Sequence, residues 1–250
     1  MNTPKTLQIK HDGATLSVRL DRVSARNGID DAMCAELTQA LLDADEDKAV
    51  RCIVITGNGS DFCTGADLAG TAGNAPDNAL DYRRPMRPYQ ALFKTLWDVE
   101  TPVISAVRGR VAGIGWMLAL LADLVVAAED SKWTHVFTRR GMAPHAGDPF
   151  FLPRILPLHV LTEIAFLGDT IGPDLLLRHG AINRVVADSN VEDTAAALAE
   201  RIAAGPTLSL GQAKRLYRRS LSTDIETAFA EESAALGMLS QTSDLSLIHI

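Results

Sequence analysis

Two glycine-rich turns in this chain offer backbone groups, rather than side chains, for chemistry. Residues 61–68, DFCTGADL, leave an apolar strand-like run (Cys52, Ile53, Val54, Ile55, Thr56) and enter a helix start near Asp67. Residues 101–115, TPVISAVRGRVAGIG, repeat that passage from strand to glycine turn to helix start. The first N–H groups of a helix have no acceptor within the helix and carry partial positive charge. Two of them aimed at one point, here the N–H groups of Ala66 and Ile114, would hold an oxyanion and leave the side chains free to vary. Taken singly, each turn is also what any tight strand-to-helix connection looks like. Neither matches a phosphate-cradling G-x-x-x-x-G-K-[ST] or a strict G-x-G-x-x-G.

Groups able to move a proton are fewer. Residues 141–149, GMAPHAGDP, place His145 and Asp148 in one loop. Histidine can take and return a proton near neutral pH, and a desolvated aspartate can do the same. The plainer readings are a polar loop residue for His145 and a helix-starting residue for Asp148, since Pro149 suits the first helical position. Arg139 and Arg140 read as a solvated pair. Lys214, Arg215, Arg218 and Arg219 share one helical face and read as solvent-facing or subunit-contacting. No His, Asp or Glu cluster suggests a metal, and Ser60 and Ser105 lack a nucleophile-elbow context.

The elements that must position these groups alternate. Leu7 and Ile9, then Leu16, Val18 and Leu20, flank Asp12-Gly13 as a hairpin. Asp30 precedes the stripe Met33, Leu37, Ala40, Leu41, Ala44, an amphipathic helix with an N-cap. Buried strands follow at residues 52–56, 103–107 and 124–128. Strands alternating with helices read as an α/β protein of repeated βα units. Residues 70–88 read as a mobile loop running into a helix that ends near Trp97. From Val191 onward three helical stripes replace the strands. The expected organisation is therefore a core over residues 1–189 and a helical C-terminal region over 190–250.

Composition narrows the setting. The 250 residues are 47% hydrophobic and 22% charged, ordinary for a globular chain. A net charge of −7 argues against nucleic acid as the main partner. Cys34, Cys52 and Cys63 form no C-x-x-C, and with no apolar leader the chain reads as cytoplasmic. The longest apolar run, residues 117–121, is too short to cross a bilayer, so no membrane partner is expected.

FCTGADL and TPVISAVRGRVAGIGWMLALLADLVVAAEDSKW resemble the two signature segments of the enoyl-CoA hydratase/isomerase (crotonase) superfamily. DRVSARNGIDDAM, LPRILP and FLGDTIGPDLLLRHGAINRVV extend the resemblance in the right order over nearly the whole chain. It implies a spiral of ββα units with a helical C-terminal region that builds a homotrimer or a dimer of trimers. It also implies an acyl-CoA substrate, with coenzyme A as part of the substrate and no separate cofactor or metal.

Residue by residue, the resemblance puts the two oxyanion donors at the N–H groups of Ala66 and Ile114, where Ile114 replaces a usual glycine. Ala25, Arg26, Gly65, Asp67 and Leu68 fall in segments that contact CoA, and Gly113, Trp116, Met117 and Phe137 at the acyl pocket. The two glutamates of the hydratases fall on Met117 and Phe137, which cannot transfer protons. Relatives that shift double bonds place a carboxylate near His145. The expectation is an enolate-stabilising acyl-CoA enzyme, isomerase-like rather than a two-glutamate hydratase, with His145 or Asp148 as base. The alternatives are a non-catalytic acyl-CoA binder and a thioester hydrolase or decarboxylase on the same fold. Residues 245–250, LSLIHI, match a sequencing-adapter reading frame, so the native tail is expected to be cut short there.

Overall fold

A computed structural model describes residues 5–67, 83–242 and 245. In chain order its strands and helices are β1 (Leu7–Asp12), β2 (Thr15–Leu20), α1 (Asp31–Glu46), β3 (Cys52–Gly57), α2 (Arg83–Asp98), β4 (Val103–Val107), β5 (Arg110–Ala112) and α3 (Gly115–Leu120). Then come β6 (Leu124–Ala128), β7 (Lys132–Thr134), α4 (Asp148–Ile155), α5 (Leu158–Leu167), β8 (Thr170–Ile171), α6 (Pro173–Arg178), β9 (Arg184–Val186), α7 (Val191–Ala203), α8 (Thr207–Ser220) and α9 (Ile225–Leu239).

The larger sheet runs in the order β1-β2-β3-β4-β6-β9 and the smaller in the order β5-β7-β8. Only β1 and β2 pair antiparallel in the larger sheet, through the Asp12-Gly13 turn that the alternation anticipates. The remaining pairs are parallel. Parallel strands covered on both faces read as unbroken apolar runs, which is why β4 is buried along its whole length.

One face of that sheet packs against α1, α2 and α3 in the main core. Helix α1 starts where expected, because the Asp30 carboxylate accepts the Met33 N–H at 2.8 Å. The other face is closed by α7, whose Val191, Ala195, Ala199 and Ala203 meet Cys52, Ile104, Ala106, Val126 and Ala128. Small residues on α7 let its backbone lie close to the strands. Helices α8 and α9 pack mainly on each other.

Two expectations change. The loop expected over residues 70–88 gives way to helix by Arg83, since α2 runs from there to Asp98 and takes Pro88 into its interior. Proline forfeits one backbone bond there, and the buried Tyr89, Leu92, Phe93 and Leu96 hold the helix on the core. The basic face of α8 is not uniformly solvated. Lys214 and Arg218 are largely buried against Asp123, which directly precedes β6, accepts from Val103 at the start of β4 and provides a carboxylate for both.

Candidate active site

The strand β5 lies between the two glycine turns and ties them together. The Cys63 N–H donates to the Arg110 carbonyl at 3.2 Å, and the Ala112 N–H returns to the Cys63 carbonyl at 3.0 Å. Beyond this bridge Gly65 adopts φ +97°, and a Cβ there would lie 2.8 Å from the Ala112 carbonyl oxygen and 3.5 Å from Gly113 Cα. Glycine is required because backbone meets backbone. On the other side, the Ile29 N–H donates to the Gly65 carbonyl and the Asp67 N–H to the Ile29 carbonyl. This pairing leaves Ala66 facing the opposite way.

At the second turn the backbone angles suit the residues present. Gly113 carries the left-handed conformation at φ +52°, while Ile114 sits at φ −65°, ψ −11°, which a β-branched residue adopts without strain. The Gly113 N–H is held by the Thr134 carbonyl at 3.2 Å, and the Ile114 carbonyl accepts from Met117 N–H. The N–H groups of Ala66 and Ile114 donate to no acceptor among the described residues.

Around this crossing the candidate residues separate by role. Ala25 and Arg26 lie beside the first turn, where the Arg26 carbonyl accepts both the N–H and the Oγ1 of Thr64. Arg26 (φ 50°) and Asn27 (φ 54°) are consecutive left-handed residues. The buried Asn27 amide pins them by donating to the Asn58 and Asp61 carbonyls. Asp67 is engaged by Arg22 at 2.7 Å, and Arg22 also meets Asp30 at 3.0 Å, so this carboxylate clamps the turn to the Arg22–Asp30 loop. Leu68 lies outside the described residues. Trp116, Met117 and Phe137 are fully or almost fully buried.

His145 is half-buried, bonded through Nδ1 to the Ala143 carbonyl at 2.9 Å, and its ring rests on Phe137 with centroids 4.6 Å apart. Asp148 opens α4 as its sequence suggests, yet its carboxylate does not cap that helix. It meets His135 Nε2 at 2.8 Å, with both side chains removed from solvent. His135 stands outside the residues that the sequence singles out. The signal was present in the spacing of Trp133, His135 and Phe137, which places alternate residues on one face of an extended segment. Trp116 meets Trp133 and His135 edge-on at 5.6 and 5.7 Å, and His135 meets Phe137 at 4.9 Å.

Two atoms in this aromatic row have no hydrogen-bond partner among the described residues, Trp116 Nε1 and His135 Nδ1. Buried polar atoms are nearly always bonded, because leaving one bare costs about 1–3 kcal/mol. The thiols offer no competing chemistry. Burial pushes Cys63 up to about 12, with Cys34 and Cys52 raised likewise, so none supplies a thiolate. Arg139 and Arg140 are exposed, as read from the sequence, and Arg139 also donates to the Gly168 carbonyl at 3.2 Å. Among the described residues no three His, Cys, Asp or Glu side chains gather to hold a metal, and no helix is long and apolar enough to cross a membrane.

Residues 10–246 match the Enoyl-CoA hydratase/isomerase family, and the chain belongs to that family. A protein described as a probable enoyl-CoA hydratase from Rhodobacter capsulatus is 34% identical, over 91% of this chain and 86% of its own. The 1,2-epoxyphenylacetyl-CoA isomerase of Escherichia coli K12 is 33% identical, over 85% of this chain and 81% of its own. The crystal structure of enoyl-CoA hydratase from Bacillus anthracis superposes with a TM-score of 0.89 at 26% identity, covering 96% of this chain and 93% of that one. The fold is therefore the crotonase fold. Hydratase and isomerase names both stand among the relatives, so similarity alone does not select a reaction.

Proposed function

We propose that the chain binds an acyl-CoA thioester with its carbonyl oxygen between the N–H groups of Ala66 and Ile114, and moves a proton at the neighbouring carbon. One observation carries this reading: two glycine turns packed backbone to backbone, each presenting an N–H with no acceptor among the described residues. Such donors stabilise the charge that grows on the oxygen as an enolate forms, and each is worth on the order of 10²–10³ in rate.

Double-bond isomerisation fits better than two-glutamate hydration. Met117 and Phe137 are apolar and buried, so neither activates water. The only carboxylate of the 141–149 loop, Asp148, lies in the interior and is engaged by His135. In an assay following enoyl absorbance, a 3-enoyl-CoA should gain the conjugated band, while crotonyl-CoA should keep it. Hydration of crotonyl-CoA as the faster reaction would overturn this reading.

We also propose that α8 and α9 join copies of this chain into a trimer or a dimer of trimers. Tyr217, Ile225, Phe229 and Leu236 are exposed on these helices, and such apolar surface favours burial against a partner. Sedimentation or light scattering tests this, and a monomer at micromolar concentration would refute it.

A further inference from the structure

We propose that His135 carries the proton at this acyl site, through Nδ1, and that Asp148 is its positioning residue. The inference deepens the reading above and rests on it for the place of the thioester.

Position comes first. The smaller sheet pairs Ala112 with Thr134, and the Gly113 N–H closes on the Thr134 carbonyl. The next residue along β7's path is His135, which therefore stands beside the Gly113–Ile114 turn. Its ring lies between Trp116 and Phe137, at 5.7 and 4.9 Å. Phe137 itself, and Met117 next to Trp116, are the two positions where the resemblance places the hydratase glutamates. A titratable side chain thus sits next to the places that lost theirs.

Chemistry comes second. The Asp148 carboxylate accepts from His135 Nε2 at 2.8 Å. A neutral imidazole has one N–H, and this bond fixes it at Nε2. Nδ1 is then a bare lone pair, fully buried and without a partner among the described residues. That is the form of a base rather than of a structural histidine, which would have both nitrogens satisfied. The neighbouring Trp116 Nε1 is a second buried polar atom left open at the same row. Two such omissions on adjoining rings mark a place kept for a polar or reacting group.

For a 3-enoyl thioester the step balances without a co-reactant. Nδ1 takes a proton from C2, and the C2–H electron pair becomes the C1–C2 double bond as the carbonyl pair moves onto oxygen. The oxygen pair then re-forms the carbonyl, the C1–C2 pair becomes C2–C3, and the C3–C4 pair takes the proton back from Nδ1–H. The imidazolium formed between is paired with the Asp148 carboxylate.

The test uses the full chain, with butyryl-CoA in D2O to follow exchange at C2 by NMR, and a conjugated enoyl thioester to report carbonyl polarisation as a red shift. H135Q should lower exchange by at least about 10²-fold, the range of a lost acid–base group, with the red shift kept. D148N should lower the exchange rate constant at saturating thioester far more than it weakens binding. In the ¹⁵N spectrum of the resting wild type, His135 should carry its proton on Nε2, and D148N should disturb that preference. Undiminished exchange in H135Q, or a resting proton on Nδ1, would overturn the assignment. If H135Q fails to fold, the wild-type ¹⁵N spectrum decides alone. A wild type that exchanges C2 protons through His135 but gives no red shift would sink the two-donor reading and leave His135 standing.

Discussion

Asp123 and Asp148 each meet a basic side chain in the protein interior, but their surroundings differ. Asp123 accepts from the Val103 N–H, from Lys214 at 2.8 Å and from Arg218 at 2.8 Å. Lys214 also donates to the Thr101 carbonyl, and Arg218 to the carbonyls of Leu96, Trp97 and Leu121. The guanidinium lies over the Trp97 ring, 4.5 Å from its centre. Asp148 has His135, and beyond it a bare ring nitrogen. The first cluster spends its groups on joining α8 to the start of β4. The second holds one group back. Burial with full satisfaction marks architecture, and burial with an atom left over marks chemistry.

The largest effect should come from the satisfied cluster. Asp123→Ala leaves Lys214 and Arg218 buried without their carboxylate, and should cost about 3–5 kcal/mol of stability. Denaturant midpoints would show this, while activity per folded molecule should hold. Equal loss of activity per folded molecule would blur the contrast between the two clusters.

Gly113→Val inverts the pattern. A β-branched residue at φ +52° tilts the turn that presents the Ile114 N–H, so turnover should fall about 10²-fold or more with smaller losses in stability. Steady-state kinetics beside a thermal melt separates the two. Trp116→Phe sharpens the comparison further. It removes buried ring atoms as well as a donor with no partner among the described residues, so the cavity should cost about 1–3 kcal/mol, less than Asp123→Ala. A loss as large as that of Asp123→Ala would mean the indole N–H is bonded after all.

The smallest effect lies at the surface. The hydrogen bond from Arg108 holds the Asp188 carboxyl below its ordinary value of about 3.9. A carboxyl depressed in the folded state stabilises fully above the unfolded value and loses that contribution as pH falls through the folded one. Wild type should therefore lose a small increment over Arg108→Ala only below about pH 4. Both side chains are more than a third exposed, so salt should shrink the difference.

The fold was legible because its signals are local and repeat. Alternation around Asp12-Gly13, the cap at Asp30 and the apolar runs of β3, β4 and β6 each state their own element. At the site, the glycine turns were legible for the same reason. His135 was not, because its meaning depends on Asp148, 13 residues on in the chain and brought to it only by folding. Lys214 and Arg218 were misread as surface charge because a helical face does not reveal what packs on it. The buried Nδ1 and indole N–H that lack partners among the described residues acquire that meaning only once their neighbours are in place.

The meeting of Gly65 with Gly113 has a consequence for how such a chain can diversify. Anchoring that depends on main-chain atoms is indifferent to the identity of residues 66, 114, 117 and 137, provided the two glycines persist. Residues at those positions can then change without moving the two donors, so long as Ile114, Met117 and Phe137 are replaced by groups that still pack in the core. A library that varies Met117 and Phe137 toward acidic residues, with His135 kept or removed, would explore neighbouring reactions from one heritable frame.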